Sequence, residues 1–134
     1  MIIKQIMTSP AICIDHKCTI QEAIDLMDTK DVGFLPVTKD DALIGVITDR
    51  DILLRGRNKK SNTQINKIMT DERIHTVDSS APLEEAARIM SAHKVRRLVV
   101  IHDGVIKGVI TSKDLLYQDD LLPYIKQTYL NTAY

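Results

Sequence analysis

The chain has 134 residues, with 18 Lys and Arg balancing 18 Asp and Glu, so its formal net charge at neutral pH is zero. That balance excludes a whole-molecule field drawing the protein to nucleic acid or to a membrane, and one Phe, four Tyr and no Trp leave few faces on which bases could stack. Apolar residues make up 44% and charged residues 27%, an ordinary globular mix with no apolar run near the ~18 residues a membrane span needs.

The opening residues, Met1-Ile2-Ile3-Lys4-Gln5, lack the basic segment and long apolar stretch of a secretion signal, so a cytoplasmic location is expected. The first predicted element is a short strand near Ala11 to Ile14. Thr19-Ile20-Gln21-Glu22 then has the capping-box pattern of a helix start. Ile20, Ala23, Ile24 and Met27 follow at i, i+3, i+4 and i+7, one face of a helix. Two β-type runs come next, Phe34 to Val37 and Leu43 to Ile47, around the polar turn Lys39-Asp40-Asp41. A second helix is expected to open at Thr48-Asp49-Arg50-Asp51 and run through Ile52-Leu53-Leu54. Arg55 to Asn66 reads as a polar linker carrying Arg55, Arg57, Lys59 and Lys60.

The same order then returns. A strand is expected near Ile74 to Val77, and Pro82 precedes Leu83, Ala86, Ala87 and Met90 at the same helical spacing. The runs Leu98 to Ile101 and Val105 to Ile110 flank His102-Asp103-Gly104, and Asp-Gly between apolar runs is a strong hairpin signal. A closing helix opens at Thr111-Ser112-Lys113-Asp114. Literal identities tie the halves together. Ile6-Met7-Thr8 recurs as Ile68-Met69-Thr70, an offset of 62, and Gly45-Val46-Ile47-Thr48 recurs as Gly108-Val109-Ile110-Thr111, an offset of 63. Asp51 and Asp114 each stand three residues beyond the Thr. Such self-similarity marks a duplication. Units of ~60 residues are marginal alone, so the two are expected to bury apolar faces against each other. The tail at 119–134 has no counterpart; as a helix it would carry a stripe of Leu121, Leu122, Ile125 and Tyr129, packed on its own core or on a second chain.

In this order the chain resembles a tandem pair of cystathionine-β-synthase (CBS) domains, often called a Bateman module. The resemblance is carried by the two Ile-Met-Thr segments, by Val32-Gly33-Phe34-Leu35-Pro36-Val37 and Val95-Arg96-Arg97-Leu98-Val99-Val100, and by the two GVIT-x-x-D motifs. It implies an α+β, sandwich-like fold. Two β-α-β-β-α units, at 1–57 and 65–118 with a linker at 58–64, would pack through their sheets about a pseudo-twofold axis and leave two clefts. It also implies a homodimer and a non-catalytic regulatory role. The clefts of many members bind AMP, ADP or ATP, and others S-adenosylmethionine or cyclic dinucleotides; the adenine nucleotides are the favoured ligands here. No cofactor is required, and the output would pass through conformation or an unknown downstream protein.

The motif residues allow two readings. Thr-x-x-Asp at a strand-to-helix junction is a helix N-cap with an acid in the first turn, which alone accounts for its recurrence in a ligand-free interaction module. Alternatively, Asp51 and Asp114 accept the two hydroxyls of a ribose, with Thr48 and Thr111 beside them. In the family the ribose contact falls on this Asp. Phosphate needs cations, and Arg96 and Arg97 supply them in copy two where copy one has Gly33-Phe34. On a regular strand these two arginines face opposite ways, and Arg97 is favoured. Arg50 and Lys113 rank second. An adenine slot needs apolar walls, for which Ile12, Ile14, Pro36 and Ile47 serve in one copy and His75, Val77, Val99 and Ile110 in the other. The unequal cations predict one better site, in copy two.

Catalytic signatures are missing: there is no P-loop, no nucleophile-elbow and no HExxH motif. His16, His75, His93 and His102 share no ligand spacing with one another or with Cys13 and Cys18, so no metal site is expected. The cysteines read as small, part-buried residues. Nucleic acid is not an expected partner.

Overall fold

The computed structural model describes residues 1–116; the tail at 119–134 lies outside the described residues. The chain divides into two compact units. One is Ile12–Ile74, and the other joins Met1–Ala11 to the described residues from His75 onward. The first unit runs β1 (Ile14–Asp15), α1 (Ile20–Lys30), β2 (Phe34–Lys39), β3 (Ala42–Thr48), α2 (Asp49–Arg55) and a 3-10 turn at Ile65–Lys67. The second has a 3-10 turn at Ile3–Gln5, then β4 (Thr76–Asp78), α3 (Leu83–His93), β5 (Arg97–His102), β6 (Val105–Thr111) and α4 (Ser112–Leu115). The expected β-α-β-β-α order is present twice, and the fold is α+β.

Each sheet has three strands, ordered β1-β2-β3 and β4-β5-β6. The first pair in each is parallel and the second antiparallel. A parallel pair needs a long crossover, which α1 and α3 supply, whereas the antiparallel pair closes through a two-residue turn. Those turns are Asp40-Asp41 (φ 50° and 66°) and Asp103-Gly104 (φ 50° and 74°). Positive φ at both central residues is the turn whose twist matches a hairpin, and Gly104 takes it without strain.

Helix starts follow local chemistry. Thr19 accepts from the Glu22 N–H at 3.1 Å while Glu22 Oε1 accepts from the Thr19 N–H at 3.1 Å, the reciprocal cap expected from the sequence. Pro82 stands at the N-cap of α3 and makes no side-chain cap. Alternation along the strands then sorts the faces. Leu35, Val37 and Ile47 join Ile20, Ala23 and Met27 of α1 in one apolar cluster. Leu98, Val100 and Ile110 join Leu83, Ala86, Ala87 and Met90 of α3 in the other. Each fully buried Leu, Ile, Val or Met contributes about 1.5–3 kcal/mol relative to exposure. Residues one step away, Pro36, Val46, Val99 and Val109, stand on the opposite sheet face.

The Ile-Met-Thr repeat finds its reason in the pairing. In the second unit the Thr8 N–H donates to the Val109 carbonyl at 2.9 Å and the Val109 N–H to the Thr8 carbonyl at 3.0 Å. In the first unit Thr70 and Val46 exchange the same two bonds, each at 2.8 Å. Both segments thus extend the open edge of a hairpin, β6 or β3. Their close approach also explains the glycine of GVIT. A Cβ on Gly45 would stand 2.9 Å from the Met69 Sδ and 2.9 Å from the Thr70 carbonyl oxygen; one on Gly108 would run into the Thr8 carbonyl. Each segment therefore docks on the hairpin of the other sequence repeat. The compact units change over near Ala11 and Ile74, whereas the repeat breaks at 58–64.

Candidate functional site

Strand β3 ends at Thr48, whose extended backbone (φ −118°, ψ 163°) turns the chain into α2. The Thr48 hydroxyl accepts from the Asp51 N–H at 3.0 Å, and Asp51 Oδ2 accepts from the Thr48 N–H at 3.0 Å. Two N-terminal donors are thereby satisfied at once. The carboxylate has further partners. The Thr70 hydroxyl lies 3.2 Å from Asp51 Oδ1 and 3.3 Å from Oδ2, and the Arg55 Nε is 3.9 Å from Oδ1. Arg55 also donates to the Met69 carbonyl at 3.2 Å. Asp51 is 7% exposed, the single buried charged residue among the described residues.

The second motif repeats the cap with different surroundings. Thr111 has nearly the same backbone (φ −119°, ψ 163°), and Asp114 Oδ2 accepts its N–H at 2.8 Å. The return bond, from the Asp114 N–H to the Thr111 hydroxyl, is longer at 3.4 Å. Asp114 is only partly buried. Among the described residues no side-chain hydrogen bond joins Asp114 to Thr8, the counterpart of Thr70.

Register places the cations. Arg97 pairs directly with Thr111 across β5 and β6, as Phe34 pairs with Thr48 across β2 and β3. Opposed residues of an antiparallel pair share a sheet face, so Arg97 and Thr111 lie on the face that carries Val99 and Val109. Arg96 precedes the strand, and its carbonyl accepts the Ser112 N–H at 2.9 Å. The first unit has Gly33 there, and a Cβ on Gly33 would stand 2.7 Å from Asp49 Oδ2. An acid thus packs in the first unit at the position where the second carries an arginine. Arg50 and Lys113, inside the motifs, are exposed.

The apolar candidates fall into two groups. Ile47 and Ile110 are fully buried in the helix-facing clusters, and Ile12 packs part-buried against the first of them. Pro36 is buried on the sheet face that carries Thr48. Alternation from Thr48 and Thr111 points instead to Val46 and Val109 as wall residues on the motif face, a signal available in the period-two pattern. His75 stacks on His93 with ring centroids 4.0 Å apart and 19° between the planes. Thr70, which grips Asp51, carried no local sequence signal, whereas Arg55 stands four residues beyond Asp51 at the spacing of a helical ion pair, a signal the sequence did offer.

Other reactive groups lie apart from the motifs. Burial pushes the thiols of Cys13 and Cys18 up, with the Glu22 charge adding to the effect at Cys18. Among the described residues no group of three or more His, Cys, Asp or Glu side chains is arranged to hold a metal ion. No helix among them is long and apolar enough to cross a membrane.

Two capped Thr-x-x-Asp motifs, each ending a β-α-β-β unit, match a known family: the CBS domain, at residues 3–57 and again at 65–119. The chain belongs to the CBS-domain family. The CBS domain-containing protein YhcV of Bacillus subtilis is 32% identical over 115 residues, 84% of this chain and 81% of that one. Hypoxic response protein 1 of Mycobacterium tuberculosis is likewise 32% identical over 115 residues, covering 84% of this chain and 80% of that protein. A crystal structure of Hypoxic Response Protein I with two coordinated zinc ions superposes with a TM-score of 0.78 at 30% identity, covering 88% of this chain and 98% of that one. The CBS domain pair of protein MJ0100, in complex with 5-methylthioadenosine and S-adenosyl-L-methionine, gives a TM-score of 0.77 at 25% identity over 92% of this chain and 96% of that one. Inosine-5'-monophosphate dehydrogenase of Nitrosopumilus maritimus is 36% identical over 104 residues, but these are only 21% of the enzyme, so the likeness lies in its CBS part. CBS pairs of this kind are regulatory, not catalytic, modules.

Proposed function

We infer that this CBS pair is a sensor for an adenosine-containing ligand, with AMP, ADP or ATP favoured, bound at the Thr-x-x-Asp motifs. The observation that carries the reading is the second motif: a partly exposed carboxylate, Asp114, capping α4, with Arg97 registered beside Thr111 on the same face. A carboxylate accepts a vicinal diol through both oxygens, and a guanidinium beside it complements a phosphate. The adenosine ligands of the MJ0100 pair support the same ligand class. The first motif has the same carboxylate without the arginine, which makes it the poorer site. Val46 and Val109 are the part-buried apolar residues offered to a base on the motif face, with Pro36 and Val99 buried beside them and Ile12, Ile47 and Ile110 supporting from behind.

A ligand shifts a protein only by its different affinity for two states, so the signal passes to a separate downstream protein or to a second copy in a homodimer. The site of action is the cytoplasm, and the functional repeats are 1–57 and 65–118. Thermal melting with AMP, ADP, ATP, S-adenosylmethionine and a cyclic dinucleotide tests the reading. A ligand at ~100 times its dissociation constant adds about 2.7 kcal/mol, a rise of roughly 10 °C for a domain of this size. A flat response to all five rejects it. The second reading, a ligand-free interaction module, is favoured by one observation: both carboxylates already serve as caps.

A further inference from the structure

Asp51 does more than cap α2. Thr70 Oγ1 stands almost equally far from its two oxygens, at 3.2 and 3.3 Å, so one hydroxyl proton is shared in the fork between them. A vicinal diol binds a carboxylate from that same fork, one hydroxyl to each oxygen. A carboxylate offers about four acceptor directions. At Asp51 the Thr48 N–H takes one, Thr70 straddles the fork, and Arg55 flanks Oδ1 at 3.9 Å.

We propose that Thr70 is the affinity-determining residue of the first motif: its hydroxyl occupies the diol position on Asp51, and a ribose must displace it to bind. This rests on the reading of the motif aspartates as ribose acceptors. The duplication supplies an internal control. Thr8 holds the corresponding place in the second unit and pairs with Val109 through the same two backbone bonds. Among the described residues its side chain makes no hydrogen bond to Asp114, which is the more exposed of the two carboxylates. The first motif is filled from within by Thr70, and among the described residues no matching hydroxyl fills the second, although both carry the same Thr-x-x-Asp.

The competing hydroxyl belongs to the leading Ile-Met-Thr segment of the second repeat, just beyond the linker. Met69 and Thr70 are anchored by the Arg55 bond to the Met69 carbonyl and by the Thr70 ladder to Val46. Ligand entry at Asp51 breaks the third tie, the Thr70 hydroxyl bond to the carboxylate, and by linkage whatever tightens that bond weakens the ligand by the same factor.

The test is titration calorimetry with AMP in an Asp114→Ala background, where the first motif is the remaining acceptor. Hydrogen bonds to charged groups are the strong ones, so releasing the fork with Thr70→Val should tighten AMP about tenfold. Thr70→Ser, which keeps the hydroxyl, should bind as the Asp114→Ala parent does. As a check independent of variant folding, the Thr70 methyl resonance of the wild-type protein should move when AMP saturates it. Unchanged or weaker binding by Thr70→Val with its melting transition intact, or a stationary Thr70 methyl, overturns the proposal and leaves the ribose reading standing. The proposal falls equally if wild type binds AMP but Thr70→Val in the Asp114→Ala background does not. Failure of AMP and of S-adenosylmethionine to bind the wild type at all removes both.

Discussion

Thr70 and Asp51 are 19 residues apart in sequence, yet the hydroxyl of one reaches both carboxylate oxygens of the other at 3.2 and 3.3 Å. This bond joins the leading segment of the second repeat to the first turn of α2, and it makes the two copies of one motif unequal in stability. Asp51→Ala removes the return half of the capping box, leaving the Thr48 N–H and the part-buried Thr70 hydroxyl without their acceptor, a loss of about 2 kcal/mol. Among the described residues Asp114→Ala removes only the matching bond to the Thr111 N–H and should cost about half as much. Urea unfolding of the two variants checks the ordering, which reverses if Asp114 is the greater structural support.

Ligand affinity should run the other way. Asp114→Ala is expected to weaken AMP more than Asp51→Ala does, because Arg97 registers beside Thr111 while Phe34 holds that place beside Thr48. Arg97→Ala should cost about tenfold or more against AMP and little against adenosine, since only the former carries a phosphate. Titration of the three variants with both compounds distinguishes a phosphate handle from a general loss of fold.

Gly108 and Gly45 are expected to resist substitution although neither sits in a left-handed conformation. A methyl at either would meet the backbone of a docked Ile-Met-Thr segment, Thr8 or Thr70, and backbone yields less readily than a side-chain tip. Gly108→Ala should destabilise by about 1–3 kcal/mol, the usual range for overpacking. Melting of Gly108→Ala beside Gly104→Ala separates this from ordinary turn strain, because a Cβ at Gly104 meets nothing within 4 Å.

Much of this was legible in the sequence. Capping by Thr19 and Glu22, the hairpin at Asp103-Gly104, and the Thr-x-x-Asp junctions all act within four residues, so local pattern reveals them. The partner of Ile6-Met7-Thr8 was not legible, because its hairpin lies about a hundred residues away and edge pairing leaves no local trace. The facing of Ile47 and Ile110 was available in principle. Period-two alternation from Thr48 and Thr111 assigns the motif face to Val46 and Val109 and gives the isoleucines to the helix side. The grip of Thr70 on Asp51 depends on that same distant docking and is visible only in the folded chain.

One contribution to acid sensitivity should come from Asp78, at the end of β4. The Ser80 hydroxyl and N–H, and to a lesser degree His102 at 3.3 Å, hold the Asp78 carboxyl below its ordinary value. A depressed folded value contributes stability that is present above the unfolded value and lost as pH falls through the folded one. The window therefore opens below about pH 4, the usual carboxylate range. Asp78→Asn should flatten that limb of the stability profile while leaving the neutral region nearly level. Urea midpoints between pH 7 and pH 3 measure it, and parallel profiles for the two proteins would refute the assignment.

A fragment spanning residues 12–74 should fold better than one spanning 1–57. The former keeps Thr70 on the edge of β3 and Ile65 in the core, whereas the latter lacks both and carries an Ile-Met-Thr segment whose hairpin is missing. Dispersion of amide resonances in the two fragments decides the matter, and a better-ordered 1–57 would contradict the pairing.

The crossed docking of the Ile-Met-Thr segments has a historical consequence. The piece that was copied is not the piece that folds. A single ancestral repeat, lacking a neighbour, would have had to bend its leading segment back onto its own hairpin or lend it to a second molecule and borrow one in return. In the fused chain the exchange between copies is internal and does not depend on concentration. Neither half can then be lost without leaving the other with an uncovered strand edge.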